Sequence, residues 1–370
     1  MKIRSWIRPV GALLALALVA AACGDDGTSE GQPAGGDGGE ASAGPISGSL
    51  TFFAYEDAFE PALLDPFEQA NPDLDVRTAA FASGDETVTK LQGGFQADVV
   101  NVCVEDTVRM VNLGLLQPID TSRIPAWDTM FQAFKDLEGV TVDGQVYLVP
   151  MVGGTSGIMY NAEAVPEGFD SYASVFDEAY AGRIGLDDDP LSGIALSAMA
   201  LGIENPMDLD DAELEQVKQF LIEKKPLLRS LVKGDSDQYQ LFKSGEIDVV
   251  VPGYKGSTET LQQDGEPVEY SLASEGQLTW TCGYSIGANA GNVDAAYALI
   301  NHYAQPETQG WQAENFFYLV SNEETLDAVS ETVVEEAGLE DPGSFANAIP
   351  YTIPENYDDW QQVWREFKAA

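Results

Sequence analysis

Short β-rich runs alternate with helix-like segments along the chain, and this alternation constrains the fold more than any other feature. Three early runs have the composition of strands, at 50–54, 74–78 and 97–104. Segments with apolar residues at helical spacing begin at Pro61 and at Thr107. Strands that alternate with helices form mostly parallel sheets covered by helices. The sequence therefore predicts an α/β fold with a mostly parallel sheet.

The part of the chain that can fold is too large for one ordinary hydrophobic core. From residue 46 to residue 370 it spans about 325 residues, so two lobes are expected. In parallel sheets, ligands bind beyond the carboxyl ends of the strands. Residues 55–57 follow the first predicted strand, and Glu105 and Asp106 follow the third. Both groups are therefore candidates for lining a cleft.

The N-terminus has the pattern of an export signal. Three basic residues precede any acid, and the apolar run 10–22 is shorter than the ~20 residues of a membrane-spanning helix. Cys23 follows small residues directly and resembles the cysteine of a bacterial lipobox. This resemblance implies that 1–22 is a signal peptide, that Cys23 is acylated, and that the protein is extracytoplasmic and lipid-anchored. The alternative is an ordinary secretory signal that happens to meet a cysteine.

The segment that follows predicts a solvated tether. Residues 24–45 contain eight glycines, five acids and no Lys or Arg. Such a composition cannot bury a core. We interpret 23–47 as the lipidated cysteine and a disordered linker that holds the folded domain away from the membrane.

The charge of the chain is strongly acidic, with 61 Asp and Glu against 18 Lys and Arg and a net charge of −43. A field of this sign excludes nucleic acid as a partner. Most of the acids fit a solvated coat of the kind found in proteins from saline habitats. A few carboxylates in a cleft could also attract cationic ligands.

Catalytic motifs are incomplete in this sequence. Its one histidine, His302, is predicted to be a surface or capping residue, and a single histidine excludes multi-histidine metal sites and most histidine-based triads. The stretch 253–258 lacks the order of a phosphate loop, and 153–157 lacks that of a nucleophile elbow. The run 187–189 could bind a hard cation, although a solvated loop fits its first two members better. We expect neither an enzyme nor a cofactor.

Two cysteines, Cys103 and Cys282, remain after the cysteine of the export signal. In an oxidising compartment, two cysteines suggest one disulfide. Their spacing alone leaves free thiols as the alternative.

Several motifs occur in an order that resembles the periplasmic spermidine/putrescine-binding proteins of polyamine ABC transporters. They are the stretches 50–57 with 61–64, 98–100 with 114–120, 149–150 with 154–161, and 244–248 with 287–290. The resemblance implies a type II periplasmic-binding-protein-like fold, with two lobes joined by two crossover strands at a hinge. One lobe would comprise 48–152 and 282–325, and the other 153–281 and 326–370. The ligand would bind between the lobes and close them.

The resemblance also implies a ligand site in which aromatic faces pack against methylene groups and carboxylates bind the amine ends. Aromatic faces attract ammonium groups by ~0.5–2 kcal/mol each, and carboxylates accept charge-assisted hydrogen bonds. The residues that match this pattern are the aromatics Tyr55, Tyr254, Trp280 and Tyr318 and the acids Glu56, Asp57, Glu105 and Asp189.

The sequence departs from the family pattern at three cleft positions. Cys282 stands where the family has its central amine-binding aspartate, and Ser192 stands where a glutamate often lies. Cys103 falls at a small polar position of the cleft. By the resemblance, both cysteines map to neighbouring strands at the cleft mouth, which implies a Cys103–Cys282 disulfide that lines the site.

These observations predict the solute-binding lipoprotein of an ABC importer, a monomer that captures a polyamine or a similar small organic cation. Its partners would be a membrane permease and the membrane that holds its lipid anchor. The alternatives are another small solute, such as an amino acid, a betaine-like amine or a metal, and a hydrolase that uses paired carboxylates.

Overall fold

The computed structural model describes residues 46–336 and 348–370. The predicted signal peptide 1–22, the acylated Cys23 and nearly all of the predicted linker lie outside these residues. Within the described part of the chain, no helix has the length and apolar character needed to cross a membrane.

Fifteen strands are present in the described residues. In chain order they are β1 Gly48–Ala54, β2 Leu74–Ala80, β3 Val99–Cys103, β4 Leu116–Gln117, β5 Thr141–Val142, β6 Gln145–Val146, β7 Val149–Thr155, β8 Gly157–Asn161, β9 Ile184–Asp187, β10 Leu228–Val232, β11 Val249–Gly253, β12 Val268–Ser271, β13 Gln277–Gly287, β14 Leu319–Val320 and β15 Ala348–Pro350.

Thirteen α-helices accompany the strands in the same described residues. They are α1 Pro61–Ala70, α2 Gly84–Gln92, α3 Val104–Asn112, α4 Gln132–Lys135, α5 Tyr172–Val175, α6 Pro190–Ala200, α7 Asp211–Lys224, α8 Gly234–Lys243, α9 Lys255–Gln263, α10 Val293–Tyr303, α11 Pro306–Phe316, α12 Glu331–Glu336 and α13 Tyr357–Ala369.

Two sheets organise the fold. The first has the order β14-β7-β13-β3-β1-β2, with β4 and β15 also paired to β13, and the second has the order β10-β9-β11-β8-β12. We call the part built on the first sheet the first lobe and the part built on the second sheet the second lobe. Strands alternate with helices in both, which confirms the predicted α/β fold.

Each sheet is mixed rather than mostly parallel, and the prediction is corrected in this respect. The strand β1 is parallel to β2 and β3, and β9 is parallel to β10 and β11. In contrast, β13 is antiparallel to β3 and β7, and β8 is antiparallel to β11 and β12. The antiparallel pairs involve the strands at the crossings, because a chain that passes from one sheet to the other and returns must reverse its direction.

Two strand connections between the lobes lie close together, and the chain crosses once more between residue 334 and α13. The chain leaves the first sheet at the end of β7 and enters the second sheet with β8, separated by Ser156 alone. It returns along β13, in which Leu278 packs in the core of the second lobe and Tyr284 in the core of the first. The two predicted crossover strands are therefore present, and they lie side by side because β13 pairs with β7.

One segment lies in a different lobe from the one that the sequence predicts. Residues 326–370 are assigned to the second lobe by the sequence, but Leu326, Val329 and Val333 pack against the core of the first lobe. The reason is that, after β14, the chain runs back alongside α11, so that these apolar side chains pack against that helix. Of the C-terminal part, α13 packs on the second lobe.

The single histidine connects two helices of the first lobe. His302 lies in the last turn of α10, and its Nε2 is 2.7 Å from the carbonyl oxygen of Leu63 on α1. Its ring packs against Phe67 with the centroids 5.6 Å apart. It is therefore a partly buried link between helices, where the sequence predicts a surface or capping residue.

The C-terminal helix is held on the second lobe by one apolar face and one carboxylate. Its buried residues are Tyr357, Trp360, Val363, Trp364 and Phe367. A Cβ atom at Gly193 of α6 would lie 2.4 Å from the Trp364 ring, so glycine permits the close approach. Asp188 accepts hydrogen bonds from the Trp364 indole at 3.1 Å and from the Lys368 ammonium at 2.7 Å. Asp188 is thus engaged, where the sequence predicts a solvated loop.

We expect Trp360→Ala to lower the free energy of unfolding by about 3–5 kcal/mol, because it removes a large side chain from a close-packed core. Trp360 is 0% exposed and belongs to the core of the second lobe. Chemical denaturation followed by circular dichroism measures this change. Gln362→Ala, at an exposed position of the same helix, is the matched control. Equal effects of the two substitutions would contradict this account of how the helix is held.

Candidate ligand-binding cleft

A cavity of about 400 Å³ lies between the two lobes and is lined by both. It stands beyond strand ends, where α/β sheets place ligands. Tyr55 follows β1, Asp187 ends β9 and Tyr254 follows β11. All eight residues that the sequence predicts as ligand-binding line this one cavity: Tyr55, Glu56, Asp57, Glu105, Asp189, Tyr254, Trp280 and Tyr318.

Three of the predicted aromatic residues form a continuous surface, which we call the aromatic wall: Tyr254, Trp280 and Tyr318. The Trp280 ring meets Tyr318 edge to face with the centroids 4.9 Å apart, and meets Tyr254 at 6.4 Å. Edge-to-face packing of this kind is favourable for aromatic pairs. Trp280 contacts the apolar cores of both lobes, so the wall stands at the crossing between them.

A glycine on the neighbouring strand gives the Trp280 indole its place. A Cβ atom at Gly154 would lie 2.8 Å from Cζ2 of the indole, closer than real Cβ atoms approach. Gly154 and Trp280 are register partners in β7 and β13. The backbone of β7 therefore leaves the space that the ring occupies.

Tyr318 reaches the cavity through a left-handed turn. Phe317 ends α11 with a φ of 53°, which is uncommon for an aromatic residue. The next residue, Tyr318, donates a hydrogen bond from its hydroxyl to Oδ2 of Asp57 at 3.0 Å. The turn thus joins the aromatic wall to one of the predicted acids.

Asp57 forms a first group of carboxylates with Asp235 on α8, which we call the Asp57 pole. Burial raises the pKa of Asp57 to about 6, and the Asp235 carboxylate adds to the shift. Burial also raises the pKa of Asp235, whose Oδ1 accepts a hydrogen bond from Ser257 at 3.0 Å. The pole therefore brings together one carboxylate from each lobe.

Glu105, Asp106, Asp187 and Asp189 form a second group, which we call the Asp189 pole. Asp189 caps α6, and its Oδ1 accepts hydrogen bonds from the backbone of Leu191 at 2.8 Å and of Ser192 at 3.0 Å. Asp187 accepts one from the Ser192 hydroxyl at 2.9 Å. Burial raises the pKa of both aspartates, and repulsion adds to the shift, from Asp189 in the case of Asp187 and from Asp85 and Asp188 in the case of Asp189. Their crowding favours the arrival of a positive charge.

Two carboxylates of the Asp189 pole come from the start of α3. Burial raises the pKa of Glu105 well above its usual range, and the neighbouring Asp106 adds to the shift. Burial raises the pKa of Asp106 to about 7, against the opposing effect of Arg109, whose Nη1 lies 3.7 Å from it. Glu105 Oε2 is buried without a hydrogen-bond partner. Glu105 is therefore free to accept a bond from a ligand.

The cysteines lie on the first-lobe side of the same cavity. Cys103 of β3 and Cys282 of β13 are register partners and form a disulfide. The structure therefore contains the pairing that the family resemblance implied.

Glu56 occupies the rim rather than the centre of the cavity. Its side chain is exposed, and Oε2 accepts a hydrogen bond from the Ser236 hydroxyl of the second lobe. A second contact between the lobes involves Asp85 of α2, whose Oδ2 accepts from Gln361 at 2.7 Å and from Tyr357 at 3.2 Å. The two lobes thus touch at the mouth of the cleft.

The sequence analysis missed several polar residues of the cavity. Asp187 lines it, where the sequence favours a solvated loop, and Asp235 and Gln238 lie on a helix that received no role. A buried polar atom without a partner points to a ligand site. Besides Glu105, such atoms in the cavity lining belong to Gln238, Trp280, Gln312 and Tyr351. Among these missed residues, only Asp187 had a signal in the sequence, which was the acidic run 187–189.

The site offers no arrangement typical of a metal centre. Within residues 46–336 and 348–370, no group of three or more His, Cys, Asp and Glu side chains is placed to hold a metal ion. Aromatic faces and carboxylates line the walls of the cavity.

Comparisons with known proteins agree with this geometry. A sequence profile of the family described as bacterial extracellular solute-binding protein matches residues 62–340. The spermidine/putrescine-binding periplasmic protein of Escherichia coli is 24% identical over 74% of this chain and 78% of its own. The putrescine/agmatine-binding protein of Pseudomonas aeruginosa is 26% identical over 70% of this chain and 74% of its own.

A solved structure, named as a candidate spermidine/putrescine ABC transporter from Listeria monocytogenes, has a TM-score of 0.78 and 25% identity, covering 87% of this chain and 99% of that one. The spermidine/putrescine transporter substrate-binding protein of Streptococcus pneumoniae has a TM-score of 0.68 and 23% identity, with the same coverage.

The buried acids predict a stability that falls as the pH rises. A carboxyl whose pKa is raised in the folded protein keeps its proton where the unfolded chain has lost it, so folding is favoured at the lower pH. For Asp57 this window runs from 3.8 to about 6. Without ligand, we expect Asp57→Asn to remove about 1–3 kcal/mol of the pH dependence of the unfolding free energy in this window.

Denaturant titrations at pH 4, 5, 6 and 7 measure that dependence. Asp128→Asn, at an exposed position away from the cavity, serves as the control for the loss of one surface charge. If both variants change the pH dependence equally, the burial of Asp57 is not its cause.

Proposed function

Because the chain belongs to the family of bacterial extracellular solute-binding proteins, we propose that it captures a polyamine or a similar small organic cation for an ABC importer. It acts as a monomer, holds the ligand between its two lobes, and presents the closed form to a membrane permease. Proteins of this family bind solutes and are not enzymes.

The observation that carries this proposal is the meeting of an aromatic wall and two carboxylate poles in one buried cavity. Ammonium groups are attracted to aromatic faces by ~0.5–2 kcal/mol each. Hydrogen bonds to charged partners contribute ~1.5–3 kcal/mol each. Among the described residues that line the cavity, Lys233 is the one cation, and its side chain is 69% exposed. The electrostatics therefore favour a cationic ligand over an anion.

The comparisons support an amine as the ligand. The relatives from Escherichia coli and Pseudomonas aeruginosa are named for binding spermidine and putrescine and for binding putrescine and agmatine, respectively. All of these molecules carry ammonium or guanidinium groups on methylene chains. Methylenes pack against aromatic faces, and the charged ends bind carboxylates.

Capture is proposed to proceed by closure of the lobes about the two crossover strands. A ligand shifts such an equilibrium only by the difference of its affinities for the open and closed states. In the closed cleft the ligand contacts both lobes, since Asp57 and Trp280 belong to the first lobe and Asp189 and Tyr254 to the second lobe. The contacts of Asp85 with Gln361 and of Glu56 with Ser236 then hold the mouth shut.

Removing the Trp280 ring or the Asp57 charge tests this site. We expect Trp280→Ala and Asp57→Asn each to weaken binding of putrescine roughly tenfold or more, equivalent to about 1.4 kcal/mol. The tryptophan variant loses aromatic contact and the aspartate variant loses a charged hydrogen-bond acceptor. Titration calorimetry measures both affinities, and thermal stabilisation by ligand provides a second readout.

Trp127→Ala and Asp128→Asn are the matched controls, since neither residue lines the cavity. Unchanged affinity in both cleft variants would show that the ligand binds outside this cavity. Stabilisation of the wild-type protein by a non-amine, with no response to amines, would refute a cationic ligand.

We also propose that the protein is anchored to the membrane through lipid on Cys23, which lies outside the described residues. More than one acyl chain is needed for stable anchoring, as ~0.8 kcal/mol is gained per buried methylene. We expect the wild-type protein to sediment with membranes and Cys23→Ser to be released. Fractionation of cells that express each form, followed by immunoblotting, measures this, and a wild-type protein found in the soluble fraction would contradict the anchor.

A further inference from the structure

The floor of the cavity is built around Cys282 and carries no charge. Side chains of a strand alternate between its two faces, and Trp280, Cys282 and Tyr284 of β13 all line the cavity while Thr281 and Gly283 do not. The register partners of Cys282 are Cys103 on β3 and Val152 on β7. The neighbours of Cys282 along β13 and across it on β3 and β7 are therefore uncharged.

The two carboxylate poles lie on opposite sides of this floor. The Asp57 carboxylate accepts a hydrogen bond from Tyr318, which directly precedes β14. Glu105 is the second residue of α3, which begins directly after β3. In the sheet order, β7 and β13 separate β14 from β3. The Asp57 carboxylate therefore lies beside Tyr318, whereas Glu105 enters the cavity from the end of β3.

The electrostatic neighbours show the same separation. Asp235 is the carboxylate that raises the pKa of Asp57, whereas Asp106 and Asp189 raise that of Glu105. The strongest carboxylate neighbour of Asp187 is Asp189, which places it with the second pole. Asp235 also raises the pKa of Asp187, although less than Asp189 does, so the two groups interact across the cavity while each is dominated by its own members.

A neutral floor between two charged poles discriminates between ligands by where their charges lie. A methylene chain that crosses the disulfide packs against sulfur and aromatic carbon without loss. An ammonium group at the same place loses its hydration and gains no counter-charge from the floor, which is strongly unfavourable.

We propose that the Cys103–Cys282 disulfide is a specificity element of the cleft, and that it selects α,ω-diamines, which have a cation at each end and an uncharged middle, over triamines with an internal ammonium. This inference rests on the proposed function and specifies the ligand class of the same site.

Titration calorimetry of the wild-type protein at pH 8 and fixed ionic strength, with 1,4-diaminobutane, 1,5-diaminopentane, spermidine and n-butylamine, tests the charge pattern. We expect a diamine to bind roughly tenfold or more tighter than either spermidine or n-butylamine. Spermidine that binds as tightly as the diamines overturns the inference and leaves the proposed function intact. If no amine binds, the proposed function itself fails.

A pair of variants that differ only in charge tests the role of the disulfide. Cys103→Ser/Cys282→Asp places a carboxylate on the floor, and Cys103→Ser/Cys282→Asn places a neutral side chain of the same shape there. We expect the affinity for spermidine relative to 1,4-diaminobutane to be roughly tenfold higher in the aspartate variant than in the asparagine variant. Equal affinity ratios in the two variants would show that the charge of the floor does not affect the choice between these ligands. If either variant fails to fold, the ratio of the wild-type affinities for 1,4-diaminobutane and spermidine decides whether the inference holds.

Discussion

Carboxylates gathered in one cleft with few counter-ions are unfavourable, and the organisation of this protein follows from how it keeps six of them there. Desolvation disfavours the charged form of each, and repulsion between neighbours adds to the effect. Asp57, Asp106 and Asp189 all have a raised pKa for this reason. A cavity lined in this way is stable in solution only if the scaffold offsets part of the repulsion.

The scaffold does so with helix N-termini, where unpaired backbone N–H groups and the helix dipole favour negative charge. Asp189 is the N-cap of α6, and Glu105 stands in the first turn of α3. Asp235 stands in the first turn of α8. The α/β architecture brings these three helix starts to one place, because each follows a strand that ends at the cleft. The fold and the site therefore share a single cause.

Residues that directly follow strands were accessible to sequence reasoning. Tyr55 and Glu105 stand at such positions, and the order of motifs added Asp189 and Trp280. Asp235 was missed because the sequence analysis predicted no strand at 228–232 before it, and Gln238 because it lies inside α8 and carries no periodic or motif signal. Their place in the cavity is a result of how α8 packs, which only tertiary structure determines.

The two errors about the acidic run and the C-terminal segment have a similar origin. Composition suggests solvent for Asp187 and Asp188, but Asp187 lines the cleft and Asp188 binds Trp364 and Lys368. The assignment of 326–334 to the second lobe failed because short apolar segments can cover either core equally well by pattern. Which core they cover is decided by the path of α11.

The same buried charge links ligand capture to closure. Moving a two-state equilibrium from 1:99 to 99:1 requires about 5.5 kcal/mol of preferential binding to one state. A charged hydrogen bond contributes ~1.5–3 kcal/mol and an aromatic contact with a cation ~0.5–2 kcal/mol, so one pole alone falls short, whereas two poles and the aromatic wall together reach this range. A ligand that fills one pole would leave the other set of carboxylates desolvated and repelling. In the proposed mechanism, the lobes therefore close fully only on a ligand that has a positive charge for each pole.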